Sequence, residues 1–426
     1  MKKILLIIIA PLLLFSQEET DTISSKNNWN HKIEWNTNIL FETNGLNKKF
    51  LNSFLQGGYI ENSTKEEWMQ ISKDKNVIYS ELKNSLSYTN MKYNIGFNVA
   101  DRNTINIAFS KNLMGLALYG NANYQDRNID ISNTNIRINR FQQYKLNYHH
   151  KINKFKYIKD LKIDMGFGIS YLIGNYHTSY IIKEGSIYTA PFGAMLDINY
   201  DMNAIVSDTS NIGVFGNNGN GIAFDIGINF SLKDYQVELY MQDIGSIEWN
   251  ESSIIYNTDS NFTFTGVEVE SILNFNDSIL DEYNSDEYFT SNINKMKSYI
   301  PGRFGFSISK NNFYKKLEII KAGVNFNWQP YFYNDAESFS NLLSRGIKES
   351  NYQPLMWLST NTNLKYIYLN NTISYGGYSE NINIGLEIER RGKNSKFILG
   401  TTHMEDLING ENQSAISVYL QIQTKF

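Results

Sequence analysis

Cysteine is absent from all 426 residues, which excludes a disulfide framework, a thiolate metal site and an acylated lipoprotein anchor. Long apolar runs are also missing beyond the N-terminus, because charges and amides interrupt every apolar stretch and the mean hydropathy is -0.39. A transmembrane helix needs roughly 20 consecutive apolar residues. The sequence therefore excludes a helical membrane protein.

Strong positive charge and catalytic motifs are lacking as well. Lysine and arginine total 39 against 43 acidic residues, a net charge of -4, so no nucleic-acid partner is predicted. His149 and His150, two of five histidines, would point to opposite faces of a strand and could not bind one metal together. No HExxH or GxSxG motif occurs. We predict no catalytic site, metal site or cofactor; a barrel lipase with catalytic residues on neighbouring strands is the remaining enzymatic alternative.

The N-terminus has the pattern of a secretory signal peptide. Two lysines follow Met1, an apolar run extends from Ile4 to Phe15, and the chain turns polar at Ser16. The run is too short to span a bilayer. Residues 1–16 are therefore predicted to be a cleaved signal peptide, and the chain is predicted to be exported.

Residues 17–92 alternate weakly and are predicted to form a partly helical segment ahead of the regularly alternating part of the chain. Leu46–Leu55 and Thr64–Ser72 have helical patterns, and Thr64 with Glu67 would form a capping box. This segment is a candidate plug, in or under the mouth of a barrel. A loosely ordered extension is the alternative.

Strands with one apolar and one polar face dominate residues 93–426. In Gly219–Trp249 a row of isoleucine and phenylalanine alternates with small or polar residues, and the alternation resumes after Ser231–Asp234, which predicts an antiparallel hairpin. Leu161–Ile173 is the longest clean row. Ile95–Val99 and Ile105–Phe109 are predicted to form a tight hairpin around Asp101, Arg102 and Asn103.

These strands predict one closed all-β structure, a transmembrane antiparallel barrel. About fourteen strands follow one another without a break in composition, more than one ordinary sandwich holds. The load of 29 tyrosines and 25 phenylalanines is typical of the aromatic girdles at both interfaces of such barrels. A soluble sandwich is the alternative. The last strand alternates from Ile416 and ends at Phe426, which is predicted to be the signal that the outer-membrane assembly machinery reads.

Polar residues opposite the apolar rows are candidates for the barrel interior. Glu387 and Glu389 on one face of a strand require water there. The candidate lumen-lining residues are Asp164, Asp225, Asn229, Glu238, Gln242, Glu387 and Glu389. They would line a polar path or simply fill the interior with hydrogen bonds. Asp225 and Asp243 are the first choice for a site, because both stand in the segments that carry the family resemblance described below.

Two insertions interrupt the strands. Residues 266–300 carry seven acidic residues against two lysines, with a helix predicted over Ser271–Tyr283. Residues 330–354 are rich in tyrosine and include a helix predicted over Ala336–Arg345, begun by Asp335 and ended by Gly346. The second insertion would fold over one mouth of the barrel.

Several segments resemble an uncharacterised Bacteroidota outer-membrane barrel family, itself similar to the PorP/SprF and FadL-like barrels. They are GNGIAFDIGINF and YMQDIGSIEW in Gly219–Trp249, FTFTG at Phe262–Gly266, YIPG at Tyr299–Gly302 and SYGGYSENINIGLEIE at Ser374–Glu389. The resemblance implies a fourteen-stranded FadL-like barrel in the outer membrane of a Gram-negative bacterium, in contact with outer-membrane lipid.

That resemblance leaves two hypotheses for function. The first is a FadL-like passage for a small hydrophobic molecule. The second is a structural barrel that docks envelope or surface proteins of type IX secretion, gliding or adhesion machinery.

Overall fold

The computed structural model describes most of the chain after residue 28. The described residues are 29–47, 49–50, 52–53, 57, 59–152, 158, 160–208, 211, 213, 216–264, 290–293, 295–314, 316–333, 337–405 and 414–426. The predicted signal peptide and the helix predicted over 271–283 lie outside them.

Nineteen strands and three α-helices are numbered here in chain order. The first ten strands are β1 (His31–Thr43), β2 (Lys75–Asn90), β3 (Ile95–Ser110), β4 (Asn128–Asp130), β5 (Thr134–Ile152), β6 (Leu161–Thr189), β7 (Leu196–Val206), β8 (Gly219–Leu232), β9 (Tyr235–Trp249) and β10 (Ile254–Phe264). The others are β11 (Thr290–Ile293), β12 (Met296–Tyr299), β13 (Gly302–Tyr314), β14 (Leu317–Trp328), β15 (Gln353–Asn363), β16 (Tyr368–Gly377), β17 (Asn381–Arg391), β18 (Ser395–Thr401) and β19 (Ala415–Lys425). The helices are α1 (Asn62–Ile71), α2 (Lys111–Tyr119) and α3 (Phe339–Glu349).

Fourteen of these strands close into one barrel. The order around the wall is β1, β2, β3, β5, β6, β8, β9, β13, β14, β15, β16, β17, β18 and β19, and β19 pairs with β1 to complete the ring. Every neighbouring pair is antiparallel. Closure removes the exposed sheet edges that would otherwise invite aggregation. The predicted antiparallel barrel of about fourteen strands is confirmed.

The five remaining strands extend the wall at one end of the barrel. β6 is 29 residues long; its first half pairs with β8 in the barrel, and its second half pairs with β4 and β7. β7 pairs in turn with β10, and β10 with β11, while β12 pairs with the end of β9. The result is a sheet that continues beyond the barrel rim.

The two ends of the barrel differ in their connections. Short turns such as 91–94, 233–234 and 364–367 join strands at the end that holds His31 and Phe426, here called the turn end. The sheet extension and all three helices lie at the opposite end, here called the loop end. Bacterial outer-membrane barrels have short periplasmic turns and longer extracellular loops. Among the residues described, no helix is long and apolar enough to cross a membrane.

The two faces of the wall meet different environments. On β8, Ile222 and Phe224 are 54% and 53% exposed on the outer surface, whereas Ala223 between them is fully buried inside. Ile373, Ile382 and Ile384 are likewise exposed on the outside. An apolar outer face on a closed barrel is the arrangement that lipid requires. The hairpin predicted in Gly219–Trp249 is present, with its turn at Lys233–Asp234.

The prediction that the barrel begins at residue 93 is wrong. β1 and β2 are full barrel strands that pair with each other, and β1 closes the ring against β19. The segment between them, 44–74, holds α1 at the loop end, so residues 31–43 and 75–90 do not plug the lumen. These strands were missed because polar residues occupy much of their length, as in Asn36-Thr37-Asn38.

Three local predictions also fail. The hairpin predicted around Asp101–Asn103 is one continuous strand, β3, because Arg102 is an interior residue rather than a turn residue. α3 begins after Ser338, whose hydroxyl caps it, and runs through Gly346 to Glu349. α1 begins after Glu61, so Thr64 lies inside the helix and no side-chain capping bond is formed.

Candidate functional site

Seven charged side chains meet inside the barrel and form a unit here called the charge cluster. Its members are Glu81, Arg102, Lys145, Asp225, Asp243 and Arg303, together with Lys83, which lies close enough to Asp243 and Arg102 to interact with them electrostatically. Arg102 donates to Asp243 Oδ2 at 2.8 Å and to Glu81 Oε1 at 3.0 Å, and Lys145 lies 2.9 Å from Asp243 Oδ1 and 2.5 Å from Asp225 Oδ2. Arg303 pairs with the second oxygen of Glu81. Arg102 and Glu81 are almost completely buried. These charges are therefore stabilised by one another and not by water.

A bulge in β9 brings two acids into this cluster. The register between β8 and β9 shifts between Phe224 and Ile226, and Asp243 has a positive φ of 59°. Its backbone N–H donates to Asp225 Oδ1 at 2.7 Å. Because strand side chains alternate, Asp243 would face lipid next to the inward Gln242 without this bulge. The bulge therefore turns a costly lipid-facing carboxylate into an interior partner of Arg102.

The cluster joins opposite walls of the barrel. β2, which carries Glu81, and β13, which carries Arg303, are six strands apart in one direction around the ring and eight in the other. The Glu81–Arg303 pair therefore spans the lumen. It narrows the interior at this level.

A cavity of about 610 Å³ lies along the inner wall from β14 to β19, here called the first cavity. Six aromatic side chains line it: Tyr79, Tyr240, Tyr352, Trp357, Tyr378 and Tyr419. The lining also includes six asparagines and seven serines or threonines, but only four aliphatic residues. Its size is in the range of pockets that hold small ligands.

Three of these aromatic rings lie flat against the wall over glycines. Trp357 is paired across the strands with Gly323, Tyr240 with Gly305 and Tyr419 with Gly400. A Cβ on any of these glycines would fall less than 3.0 Å from the ring. The missing side chain lets each ring cover its neighbour's backbone, an arrangement known to stabilise glycine in sheets. The opposite face of each ring is turned towards the lumen.

A second cavity of about 520 Å³ follows the inner wall from β2 to β9 in the half nearer the turn end. Tyr240 lines both cavities. Beside it, Lys321 of the first cavity pairs with Glu238 of the second at 2.7 Å. Tyr240 and this ion pair form the partition between the two cavities.

The connection from β14 to β15, residues 329–352 and here called the mouth loop, lies across the loop end of the lumen. Arg137 of β5, on the far side of the ring, donates to the carbonyls of Gln329 and Glu349 at 2.5 and 2.7 Å. Its guanidinium stacks 4.3 Å from the centre of the Tyr331 ring. The described part of the loop is thereby tied to the opposite wall, and the expected fold over a mouth is observed.

Tyrosines close the first cavity beneath this loop. Tyr378 stacks on Tyr79 with ring centres 3.8 Å apart, and Tyr352 meets Tyr378 edge-on at 4.8 Å. Burial raises the pKa of both Tyr352 and Tyr378. These phenols therefore remain neutral hydrogen-bond donors across the physiological range.

The seven predicted lumen residues divide between the two cavities and the turn end. Asp164, Asp225, Asn229, Glu238 and Gln242 border the second cavity. Glu387 borders the first cavity and accepts from Tyr419 at 2.9 Å. Glu389 lies towards the turn end, where it pairs with Arg391 and Lys396. Of these seven residues, Asp225 alone belongs to the charge cluster. Asp243, the other first choice for a site, belongs to the cluster as well.

Sequence reasoning missed the acid Glu81 and all the basic residues of the charge cluster, which are Lys83, Arg102, Lys145 and Arg303. Glu81, Lys145 and Arg303 each adjoin an apolar residue, Leu82, Leu146 and Phe304 respectively, just as the predicted acids do, whereas Arg102 lies between Asp101 and Asn103. Extending the same inward-row rule to β2 and β13 would have named Glu81 and Arg303. Their partnership would still have been hidden, because they are 222 positions apart.

A protein-family model matches most of the sequence. A family of unknown function, DUF5723, matches residues 22–401. The chain belongs to this family. No curated protein matches the sequence.

Solved structures resemble this member of the family in barrel architecture. The P. putida toluene transporter TodX aligns with a TM-score of 0.41 and 8% identity, covering 93% of this chain and 90% of TodX. A Pseudomonas aeruginosa FadL homologue gives 0.36 and 9%, covering 93% and 89%. The translocator domain of the autotransporter NalP from Neisseria meningitidis gives 0.25 and 8%, covering 94% and 90%. Function must be inferred from this chain's own interior.

Proposed function

We propose that this barrel resides in the outer membrane and passes a small molecule that has an apolar face, with the first cavity as its binding site. The observation that carries the proposal is the cavity of about 610 Å³ inside a closed, lipid-facing barrel, lined by six aromatic rings. A barrel wall needs only packed side chains to be stable. A large aromatic cavity in its interior is better explained by a ligand.

Two structural barriers regulate this route. The mouth loop covers the loop end through its contacts with Arg137. Tyr240 and the Lys321–Glu238 pair separate the first cavity from the second. A molecule that enters from outside would displace the mouth loop, bind along β14–β19, and leave past Tyr240 towards the turn end.

Uptake into liposomes tests the proposal. Liposomes that contain the purified barrel should accumulate a labelled fatty acid or a small aromatic alcohol faster than protein-free liposomes. Tyr240→Ala should increase the rate, since it merges the two cavities. Tyr235→Ala is the matched control, because Tyr235 is on the same strand but exposed on the lipid face. Rates equal to those of protein-free liposomes for every probe would refute passage.

A structural barrel that docks envelope or surface proteins is the second candidate function. The observation that favours it is the Glu81–Arg303 pair, which joins opposite walls and narrows the lumen. A rigid cross-linked barrel suits a scaffold as well as a gated channel. Affinity purification from the native envelope should then recover a partner, and deletion should reduce export of surface proteins; neither effect would be seen if the barrel acts alone.

A further inference from the structure

We propose that the first cavity binds a short neutral saccharide. The inference rests on the proposed role of this cavity as a ligand site, and it names the class of ligand. Three properties of the lining support it: its charges are already paired, its other polar groups are uncharged amides and hydroxyls, and its aromatic rings present flat faces.

The charged groups of the cavity already have protein partners. Lys321 lies 2.7 Å from Glu238, and Arg303 pairs with Glu81. Glu42 lies 3.0 Å from His403 Nε2, and Glu387 accepts from Tyr419. A carboxylate or phosphate ligand would have to break one of these pairs and leave a charge unpaired in a low-dielectric site. A neutral ligand avoids that cost.

The remaining polar surface suits a molecule with many hydroxyl groups. Asparagine side chains offer both donors and acceptors, and serine and threonine hydroxyls adapt to either role. Asn325, Asn327, Asn361, Asn370 and Asn383 line the cavity together with Asn38. Most of these amides already bond to protein groups, as Asn361 does to Asn370 and Asn327 to Tyr378, but each keeps donor or acceptor capacity that the hydroxyls of a ligand can use and an acyl chain cannot. Only four aliphatic side chains are present.

The flat rings supply the apolar contact that a sugar ring needs. A pyranose has hydroxyl groups around its edge and C–H groups on its faces, so it stacks on an aromatic ring while its edge forms hydrogen bonds. Trp357 and Tyr419 lie over Gly323 and Gly400, with their free faces towards the cavity. Ser359 and Asn361, which share the inward face of β15 with Trp357, line the cavity beside it. This combination favours a saccharide over a hydrocarbon.

Binding of neutral saccharides to the purified full-length barrel tests the inference. The probes are maltotriose, cellotriose and N,N′-diacetylchitobiose, with cellobionic acid as the charged counterpart and a fatty acid as the apolar one. We expect calorimetric binding of at least one neutral probe, with the acid and the fatty acid weaker. Trp357→Ala should weaken binding about tenfold, the effect of losing one stacking ring.

Two further variants separate the site from the fold. Gly323→Ala retains the tryptophan but introduces a Cβ 2.6 Å from its ring and 2.6 Å from the Phe306 carbonyl oxygen, so the ring and the adjoining backbone must both shift and binding should weaken. Trp35→Ala, on the lipid face of β1, should bind like the unaltered protein. Heat-dependent mobility in gels checks that every variant forms a barrel.

The results distinguish this inference from the proposed passage. If no neutral saccharide binds while the fatty acid binds and enters liposomes, the saccharide inference is overturned and passage stands. If a saccharide binds equally well to Trp357→Ala and Gly323→Ala, its assignment to this cavity is overturned. If a saccharide binds as expected but does not cross the membrane in liposome-swelling measurements, the inference stands and passage is wrong.

Discussion

Replacing Arg102 with methionine removes the cation that joins two buried carboxylates of the charge cluster. Arg102 is 1% exposed and contacts Asp243 at 2.8 Å and Glu81 at 3.0 Å. Methionine keeps an unbranched side chain of about the length of the arginine stem, without the charged guanidinium. The change therefore tests electrostatics more than packing.

The expected cost follows from what each carboxylate retains. Removing one partner of a buried ion pair typically costs about 3 to 5 kcal/mol, because a charge is left uncompensated. Glu81 keeps Arg303, and Asp243 keeps Lys145 and Gln143. We therefore expect a loss near the lower limit, about 3 kcal/mol in the free energy of unfolding.

A double-mutant cycle identifies the source of this loss. Asp243→Asn alone should also destabilise the barrel, but the double variant should cost at least about 1 kcal/mol less than the sum of the single variants. Urea unfolding in phospholipid vesicles, followed by tryptophan fluorescence, measures each free energy. Lys49→Met is the control, because its pair with Glu67 is 38% and 42% exposed and should contribute no more than about 1 kcal/mol. Strict additivity of the two cluster variants, or an Arg102→Met loss as small as the control, would refute this account.

Three further predictions concern the mouth loop and the C-terminus. Arg137→Ala should detach the loop, seen as faster amide hydrogen exchange in 337–352 with no change in the β14 strand; unchanged exchange would contradict the anchoring role. Hydrogen bonds from Arg345 lower the pKa of Glu337, so this contact contributes fully above the ordinary carboxyl pKa of about 4.3 and is lost as the pH falls through the lowered value. After correction for the intrinsic pH dependence of amide exchange, the protection of α3 should accordingly be lower at pH 3 than at pH 7, whereas Glu337→Gln should remove that difference. Deleting Phe426, whose N–H donates to His31 at 3.0 Å, should reduce the amount of folded barrel in cells more than it lowers stability in vitro, and equal losses in both would contradict an assembly signal.

The wall of this barrel is predictable because each strand faces two environments. Strands such as Leu161–Ile173 and Ile382–Ile388 must have one apolar face for lipid and one polar face for the lumen. The alternation is therefore visible within each short stretch of sequence. Closure into fourteen strands then follows from their number and continuity.

The interior was less predictable because its partners are distant in sequence. The triplet Asp101-Arg102-Asn103 has the composition of a turn, and only the buried partners of Arg102 make it a strand interior. The bulge at Asp243 depends on a bond from its own N–H to Asp225, which no periodicity reveals. The second half of β6 has no clear alternation of apolar and polar residues, because beyond the membrane its two faces no longer meet lipid on one side and water on the other.

The length of β6 has a practical consequence for work on intact cells. Fifteen residues of this strand, 175–189, continue past its pairing with β8, a path of about 50 Å at about 3.3 Å per residue. At its tip Phe192 is 99% exposed. Exposed loop tips tolerate inserted sequence well. An epitope tag placed there would extend beyond the lipid headgroups, so antibody labelling of unbroken cells would report which way the barrel faces without disturbing its interior.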